Sequence, residues 1–448
     1  MSGAWLRRRA PTKDPLISSA YSLVANSALT AALGVAFWSV AARLYDPVEL
    51  GRDAALIAVM LELSAICQLN MVNAITRFLP SLERGTASAL LRAYAASAAA
   101  ALVGGLIFLL LAPRVSNEFH FIVDDWRLGA LYVVGLVTWG WFALQDAALT
   151  AVRRASWVPV ENGLFGILKL AALLAFLALG AADGVFLAWT LPVLLLIVPV
   201  NLFLFRTAIP EHLRKHRPAG SAVLARLGRR GLVRFMAQDW GATALALAPT
   251  AFLPVLIVAL LGPRANAYFF IPYMIVTAFN MLFAAAGTSL VVEGALAEDR
   301  IRAMAERIAR RFALIVVPGT TVMIAAAPLI LLPFGEDYVD KSSSVLRLLA
   351  CGCVFYAALA LYVAIARVEG RSLRILTVEA VKLPLLLGGA IVLSGPLGIE
   401  GIALAWLGAV AMVALAVAPS LVRFLRGRPS REVAVRARRA APEGVRLP

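Results

Sequence analysis

Histidine, cysteine and lysine are all scarce in this chain. Its 448 residues include three histidines and three cysteines, with no Cys/His cluster at metal-ligand spacing, so no metal site is expected. Cys67, Cys351 and Cys353 lie in apolar runs and read as small core residues rather than a disulfide framework. The five lysines, at 13, 169, 215, 341 and 382, are never preceded by glycine, which excludes the Gly-Lys of a phosphate loop and with it an on-chain ATP motor. Charge is sparse as well: 15% of residues are charged, against about a quarter in soluble domains. No connection on the outer side exceeds about 15 residues. A membrane glycosyltransferase or polymerase with catalytic carboxylates in large outer loops is therefore a distant alternative, and no catalytic residues and no cofactor are expected.

What fills the chain is apolar sequence, 61% of residues, with a mean hydropathy of +0.85. A helix needs about 20 such residues to cross about 30 Å of hydrocarbon. On that ruler twelve spans are expected: 17–42, 52–79, 88–112, 128–151, 158–180, 184–206, 235–261, 266–292, 307–333, 344–366, 372–394 and 399–424. The fold class is an all-α polytopic membrane protein. The first apolar run follows the basic stretch Met1–Asp14 with no small-residue cleavage site and reads as a retained signal anchor.

The net charge of +16 would suit nucleic acid, but the arginines sit in short connections between spans, as in cytoplasmic loops. With both termini cytoplasmic, 33 of the 42 Lys/Arg fall on the inner side, while Asp46, Glu49, Glu118, Asp124, Asp125, Asp183, Glu336, Asp337, Asp340 and Glu400 fall outside. Basic residues are retained on the cytoplasmic side during insertion, so this asymmetry supports the span count and orientation and argues against nucleic acid. The central basic stretch, Arg206–Arg234, carries eight Lys/Arg. It divides the chain into a first lobe (1–206), a basic cytoplasmic linker (207–234), a second lobe (235–424) and a basic cytoplasmic tail (425–448); the linker's arginines also suit anionic lipid heads.

The two halves repeat. Asp183-Gly184-Val185-Phe186-Leu187-Ala188-Trp189 matches Glu400-Gly401-Ile402-Ala403-Leu404-Ala405-Trp406, and Leu44-Tyr45-Asp46-Pro47 with Gly51 parallels Leu261-Gly262-Pro263 with Ala267, at offsets of 216 to 217 residues. Two six-helix lobes in the same orientation form a parallel repeat.

Charges within the spans are the candidate site. Lys169 lies about 11 residues into its helix, about 16 Å deep at about 1.5 Å per residue, too deep to reach water easily. Glu62 lies at a similar depth on an antiparallel helix of the same half. One reading places Lys169 and Glu62 in a water-accessible cavity, with Lys169 contacting an anion; the other is an ion pair locking two helices. In the second half, Asp239 and Glu379 are candidates for a coupling Na⁺ or H⁺, while Glu379 and Lys382, at i, i+3, can instead neutralise each other. Arg77 extends an anion-attracting inner mouth or serves topology alone. Asp146, Glu161 and Glu293 lie near cytoplasmic helix ends and read as solvated. The aromatics Trp139, Trp141, Phe142, Tyr268, Phe269, Phe270 and Tyr273 suit sugar stacking or, more commonly, packing and interface anchoring.

Four segments carry a family resemblance: Ala42-Arg43-Leu44-Tyr45-Asp46-Pro47-Val48-Glu49-Leu50-Gly51, Asn73-Ala74-Ile75-Thr76-Arg77-Phe78-Leu79-Pro80, Pro333-Phe334-Gly335-Glu336-Asp337-Tyr338 before Val345-Leu346-Arg347-Leu348-Leu349, and Gly395-Pro396-Leu397-Gly398-Ile399-Glu400-Gly401-Ile402-Ala403. In order and spacing they resemble the oligosaccharide repeat-unit flippases of the multidrug/oligosaccharidyl-lipid/polysaccharide (MOP) exporter superfamily, over nearly the whole chain. The resemblance implies two MATE-like lobes around a central cavity and a polyprenyl-pyrophosphate-linked oligosaccharide as cargo. It further implies polysaccharide assembly proteins as partners and residence in the inner, cytoplasmic membrane. Cationic cavity residues are expected in the first lobe, and Lys169 is this chain's match. Within the superfamily the alternative is a cation-coupled multidrug exporter, whose acidic cavity Glu62 and Asp239 could supply.

Overall fold

The computed structural model describes residues 15–82, 85–215, 222–294, 301–369 and 371–426. The described residues are almost entirely helical: α1 (Pro15–Leu44), α2 (Pro47–Cys67), α3 (Met71–Phe78), α4 (Thr86–Val115), α5 (Trp126–Ala151), α6 (Val158–Ala178), α7 (Gly184–Phe203), α8 (Ala222–Leu261), α9 (Pro263–Gly294), α10 (Ile301–Ala325), α11 (Glu336–Val368) and α12 (Ser372–Leu425). In hydrocarbon every backbone N–H and C=O must find its partner within the segment, and a helix does this without an edge. Among the described residues nine helices are long and apolar enough to cross a membrane, ten if α2 and α3 form one bent span.

The polarity of these helices is inverted relative to a soluble protein. On α4, Val103, Leu106, Ile107 and Leu110 form an exposed i, i+3, i+4, i+7 stripe, each more than half exposed. The same helix buries small residues, Ser97, Ala101 and Gly105. An apolar outside and a small-residue inside is what lipid solvation selects.

Two expected spans depart from straight helices. The span over 52–79 bends by 50° between α2 and α3, where Leu69 and Asn70 take left-handed φ values of 52° and 61°. Asn tolerates that conformation better than other non-glycine residues, and Gln68-Leu69-Asn70 interrupts the apolar run at this point. The boundary expected between 394 and 399 falls inside the 54-residue α12, which breaks at Gly398 with φ 56° and ψ −135°. Only glycine visits that region without strain.

The chain divides into two compact units. Unit 1 comprises Met1–Leu44, Leu63–Arg114 and Phe119–Trp240; unit 2 comprises Tyr45–Glu62, Val115–Glu118 and Gly241–Pro448. In unit 1, α6 packs against α1 and α7, and α5 against α3 and α7. Its core is a block of rings, Phe37, Trp38, Trp139, Phe142, Phe165 and Trp189, with centroid spacings of 5.2–6.2 Å, the range of favourable aromatic pairs. The indole of Trp240 donates to Ile66 O at 2.7 Å.

In unit 2, α11 is central and packs against α9, α10 and α12. The segment Tyr45–Glu62, although early in the chain, belongs to this unit. The buried Asn266 Nδ2 donates to Gly51 O at 2.7 Å. A methyl at Gly51 would overlap the Pro263 carbonyl, so the close approach requires glycine. Positions 216–221 of the basic connection and the tail beyond 426 lie outside the described residues.

Candidate functional site

Unit 2 contains a cavity of about 270 Å³ lined from α8, α9, α11 and α12. Prolines 249, 254, 272 and 384 interrupt three of these helices, and a proline frees a backbone carbonyl that must be satisfied locally. On one wall the Tyr273 hydroxyl hydrogen-bonds with Thr250 and Thr277. Asn280, 4% exposed, carries an Oδ1 with no hydrogen-bond partner among the described residues. On the opposite wall Lys382 Nζ lies 2.5 Å from Glu379 Oε2, with side chains 13% and 10% exposed. Tyr356 sits in the electrostatic field of both Glu379 and Arg367, and Arg367 reaches the surface. Trp406 closes one side, tight against Gly352.

The i, i+3 neutralisation of Glu379 by Lys382 is thus present as an ion pair. A coupling ion at Glu379 would have to compete with an ammonium already in contact. Asp239 lies on α8, and its side chain is outside the described residues.

Lys169 lies in unit 1 and is 4% exposed. Its ammonium is boxed by three rings, Trp189 at 3.9 Å, Phe165 at 5.0 Å and Phe37 at 5.1 Å from centroid to Nζ. The quadrupole of an aromatic face attracts a cation, more strongly when water is excluded. No ion pair to Lys169 occurs among the described residues. Glu62 is half-buried, belongs to unit 2, and lies in the electrostatic field of the Tyr273 hydroxyl. Arg77 is exposed on α3, its guanidinium 5.4 Å from the Phe78 ring.

The structure corrects the reading of Glu161 as a solvated helix-end residue. Glu161 is 4% exposed and terminates a chain of hydrogen bonds across four helices. Tyr94 OH donates to Asn201 Oδ1 at 2.8 Å, Asn201 Nδ2 donates to Gln145 Oε1 at 2.7 Å, and Gln145 Nε2 donates to Glu161 Oε1. Asn162 Nδ2 donates to Asp146 Oδ2 at 3.1 Å. Asp146 lies in the electrostatic field of Glu161, and Asp146 Oδ1 and Glu161 Oε2 have no hydrogen-bond partner among the described residues. The side chain of Glu293 is outside the described residues.

The aromatic groups serve mainly as packing. Trp139 and Phe142 stack at 5.5 Å inside unit 1, Trp141 Nε1 donates to Tyr94 O at 3.0 Å, and Tyr268 packs on Tyr338 at 5.0 Å. Tyr273 alone among them lines the cavity. Sequence reasoning passed over Asn280, Gln145 and Asn201. Their signal was available, since an amide in an apolar span needs an interior partner.

No protein-family model matches the sequence, and no curated protein matches it. Among solved structures, the lipid II flippase MurJ in an inward closed conformation superposes with a TM-score of 0.63 at 13% identity, covering 95% of this chain and 94% of that one. An outward-facing multidrug resistance MATE family transporter of the MOP superfamily gives 0.61 at 15% identity, over 96% and 98% of the chains. An inward-facing MATE transporter gives 0.57 at 16%, over 94% and 96%. Over nearly its whole length, therefore, this membrane protein has the fold shared by the MATE transporters and MurJ.

Proposed function

We propose that the protein is a flippase of the cytoplasmic membrane that moves a polyprenyl-pyrophosphate-linked oligosaccharide between leaflets for cell-surface polysaccharide biosynthesis. The observation that supports this over other transporter readings is Lys169. An unpaired cation held deep in an apolar helix costs at least about 2.5–3.5 kcal/mol, and the faces of three aromatic rings lie around its ammonium. Such a residue is retained for an anion that arrives with the cargo, and a pyrophosphate headgroup is that anion. The lipid tail stays in hydrocarbon, so the protein need shelter only the pyrophosphate and sugars.

Coupling to Na⁺ or H⁺ is part of this reading, with the proton the better fit. Glu379 already holds Lys382 as its cation, whereas Asp146 and Glu161 are neighbouring carboxyls with no ion pair among the described residues, and two carboxyls sharing a site favour taking up a proton. These same acids favour the second reading, a cation-coupled multidrug exporter, in which the acidic groups face the substrate.

The deciding experiment is a reconstituted flipping assay with a lipid-linked oligosaccharide, run beside efflux of an organic cation. Flipping well above protein-free vesicles, lost in Lys169→Ala at unchanged protein level, supports the flippase. Efflux without flipping assigns the protein to the second reading.

A further inference from the structure

The cavity of unit 2 has no task in the scheme above, which uses Lys169 of unit 1, yet its chemistry is specific. Its volume, about 270 Å³, falls just below the range of about 300–1,000 Å³ that takes drug-sized ligands. It suits one sugar ring and is too small for an oligosaccharide.

Its charges select a monoanion. Lys382 and Glu379 cancel each other at 2.5 Å, which leaves the guanidinium of Arg367 as the net charge on the lining. A cationic ligand would meet Arg367 and would have to displace Lys382 to gain Glu379. A dianionic phosphate would exceed the single positive charge. One carboxylate matches it, and a planar guanidinium binds carboxylate in a two-pronged fork.

Its neutral groups select a polyol. Asn280 lines the cavity, and a side-chain amide both donates to and accepts from hydroxyl groups. The hydroxyls of Tyr273, Thr277 and Tyr356 also line the cavity, while the indole of Trp406 offers the apolar surface on which a sugar ring packs.

We infer that this cavity binds a single acidic sugar residue, a pyranose bearing one carboxylate, with Arg367 on the carboxylate and Asn280 on a ring hydroxyl. The inference rests on the flippase reading for its biological sense, since it names the class of sugar that the cargo would carry, but it stands on the cavity's own geometry.

The test is direct binding to the full-length protein in lipid nanodiscs, read by calorimetry and saturation-transfer NMR, with glucuronate, glucose and acetate as probes. Glucuronate is expected to bind at least tenfold more tightly than glucose, and equimolar acetate is expected not to displace it. Arg367→Gln should lower glucuronate affinity at least tenfold and leave glucose binding unchanged. Asn280→Leu should abolish both; should it fail to fold, the isosteric Asn280→Asp should repel glucuronate while retaining the parent melting temperature. Displacement of glucuronate by acetate would make this a bare anion site and overturn the assignment, as would glucuronate binding that neither variant alters. The flipping assay is separate: sugar binding without flipping would leave the pocket standing and defeat the flippase reading. Flipping without sugar binding would do the reverse.

Discussion

Removing the carboxylate of Glu379 should expose how much the unit 2 cavity depends on its internal ion pair. In Glu379→Gln the Lys382 ammonium stays in place, 13% exposed and about ten residues into α12, or about 15 Å at about 1.5 Å per residue. Breaking a buried pair from one side costs about 3–5 kcal/mol, while a lone lysine at the centre of a span costs about 2.5–3.5 kcal/mol on insertion scales. We expect a loss of about 3 kcal/mol, and a similar loss in Lys382→Met, which strands the carboxylate instead. The double variant Glu379→Gln/Lys382→Met strands neither charge and should lose no more than about 1 kcal/mol, which against two single losses of about 3 kcal/mol each gives a coupling energy of about 5 kcal/mol. Reversible unfolding in mixed detergent micelles measures all three. Additive losses would refute the reasoning, because they would mean that each residue works through other partners. Transport sharpens the outcome: if Glu379 held a coupling cation, the double variant would regain stability and still fail to transport.

Lys169→Met replaces a buried ammonium by an apolar chain of similar length within the Phe37, Phe165 and Trp189 box; we expect equal or greater thermal stability with loss of flipping, and a loss of more than about 3 kcal/mol would mark Lys169 as structural. Glu161→Gln keeps a hydrogen-bonding side chain beside Asp146 and Gln145 and should melt near the parent, whereas Glu161→Leu strands the Gln145 amide at a cost of about 1–3 kcal/mol; equal melting of the two would remove the network's role. Gly352→Ala drives a methyl into the Trp406 ring and should cost about 1–3 kcal/mol by overpacking, with a matching change in tryptophan fluorescence. Asn266→Ala removes the donor to Gly51 O, and a melting temperature equal to the parent's would show that this buried hydrogen bond contributes nothing.

Helices were legible because lipid leaves the backbone few choices, whereas the bend at Leu69 and Asn70 inside the expected span 52–79 was not. Twenty apolar residues read directly as helix, and Gly395-Pro396-Leu397-Gly398 marked the break found at Gly398. The Glu379–Lys382 pair was legible too, since residues three apart on one helix meet whatever the fold. What sequence could not supply were partners brought from afar. Phe37 and Trp189 lie 132 residues before and 20 residues after Lys169 in the chain, and no local pattern announces that they meet there. Glu161 misled for a related reason. Nearness to a helix end along the sequence implies water only if no neighbouring helix covers that end, and Gln145 and Asn201 arrive from α5 and α7 to cover it.

The contact between Asn266 and Gly51 bears on any attempt to take the molecule apart. A cut in the basic connection would look natural, giving one fragment with the helices before it and another with the helices after it. The second fragment would lack Tyr45–Glu62, the stretch that unit 2 borrows from the other end of the chain, and Asn266 would lose its acceptor. Produced alone, that fragment should be a structure with one piece missing. Produced together with the first, it should recover that piece in trans, making the split protein an assembly whose halves are each other's folding partner.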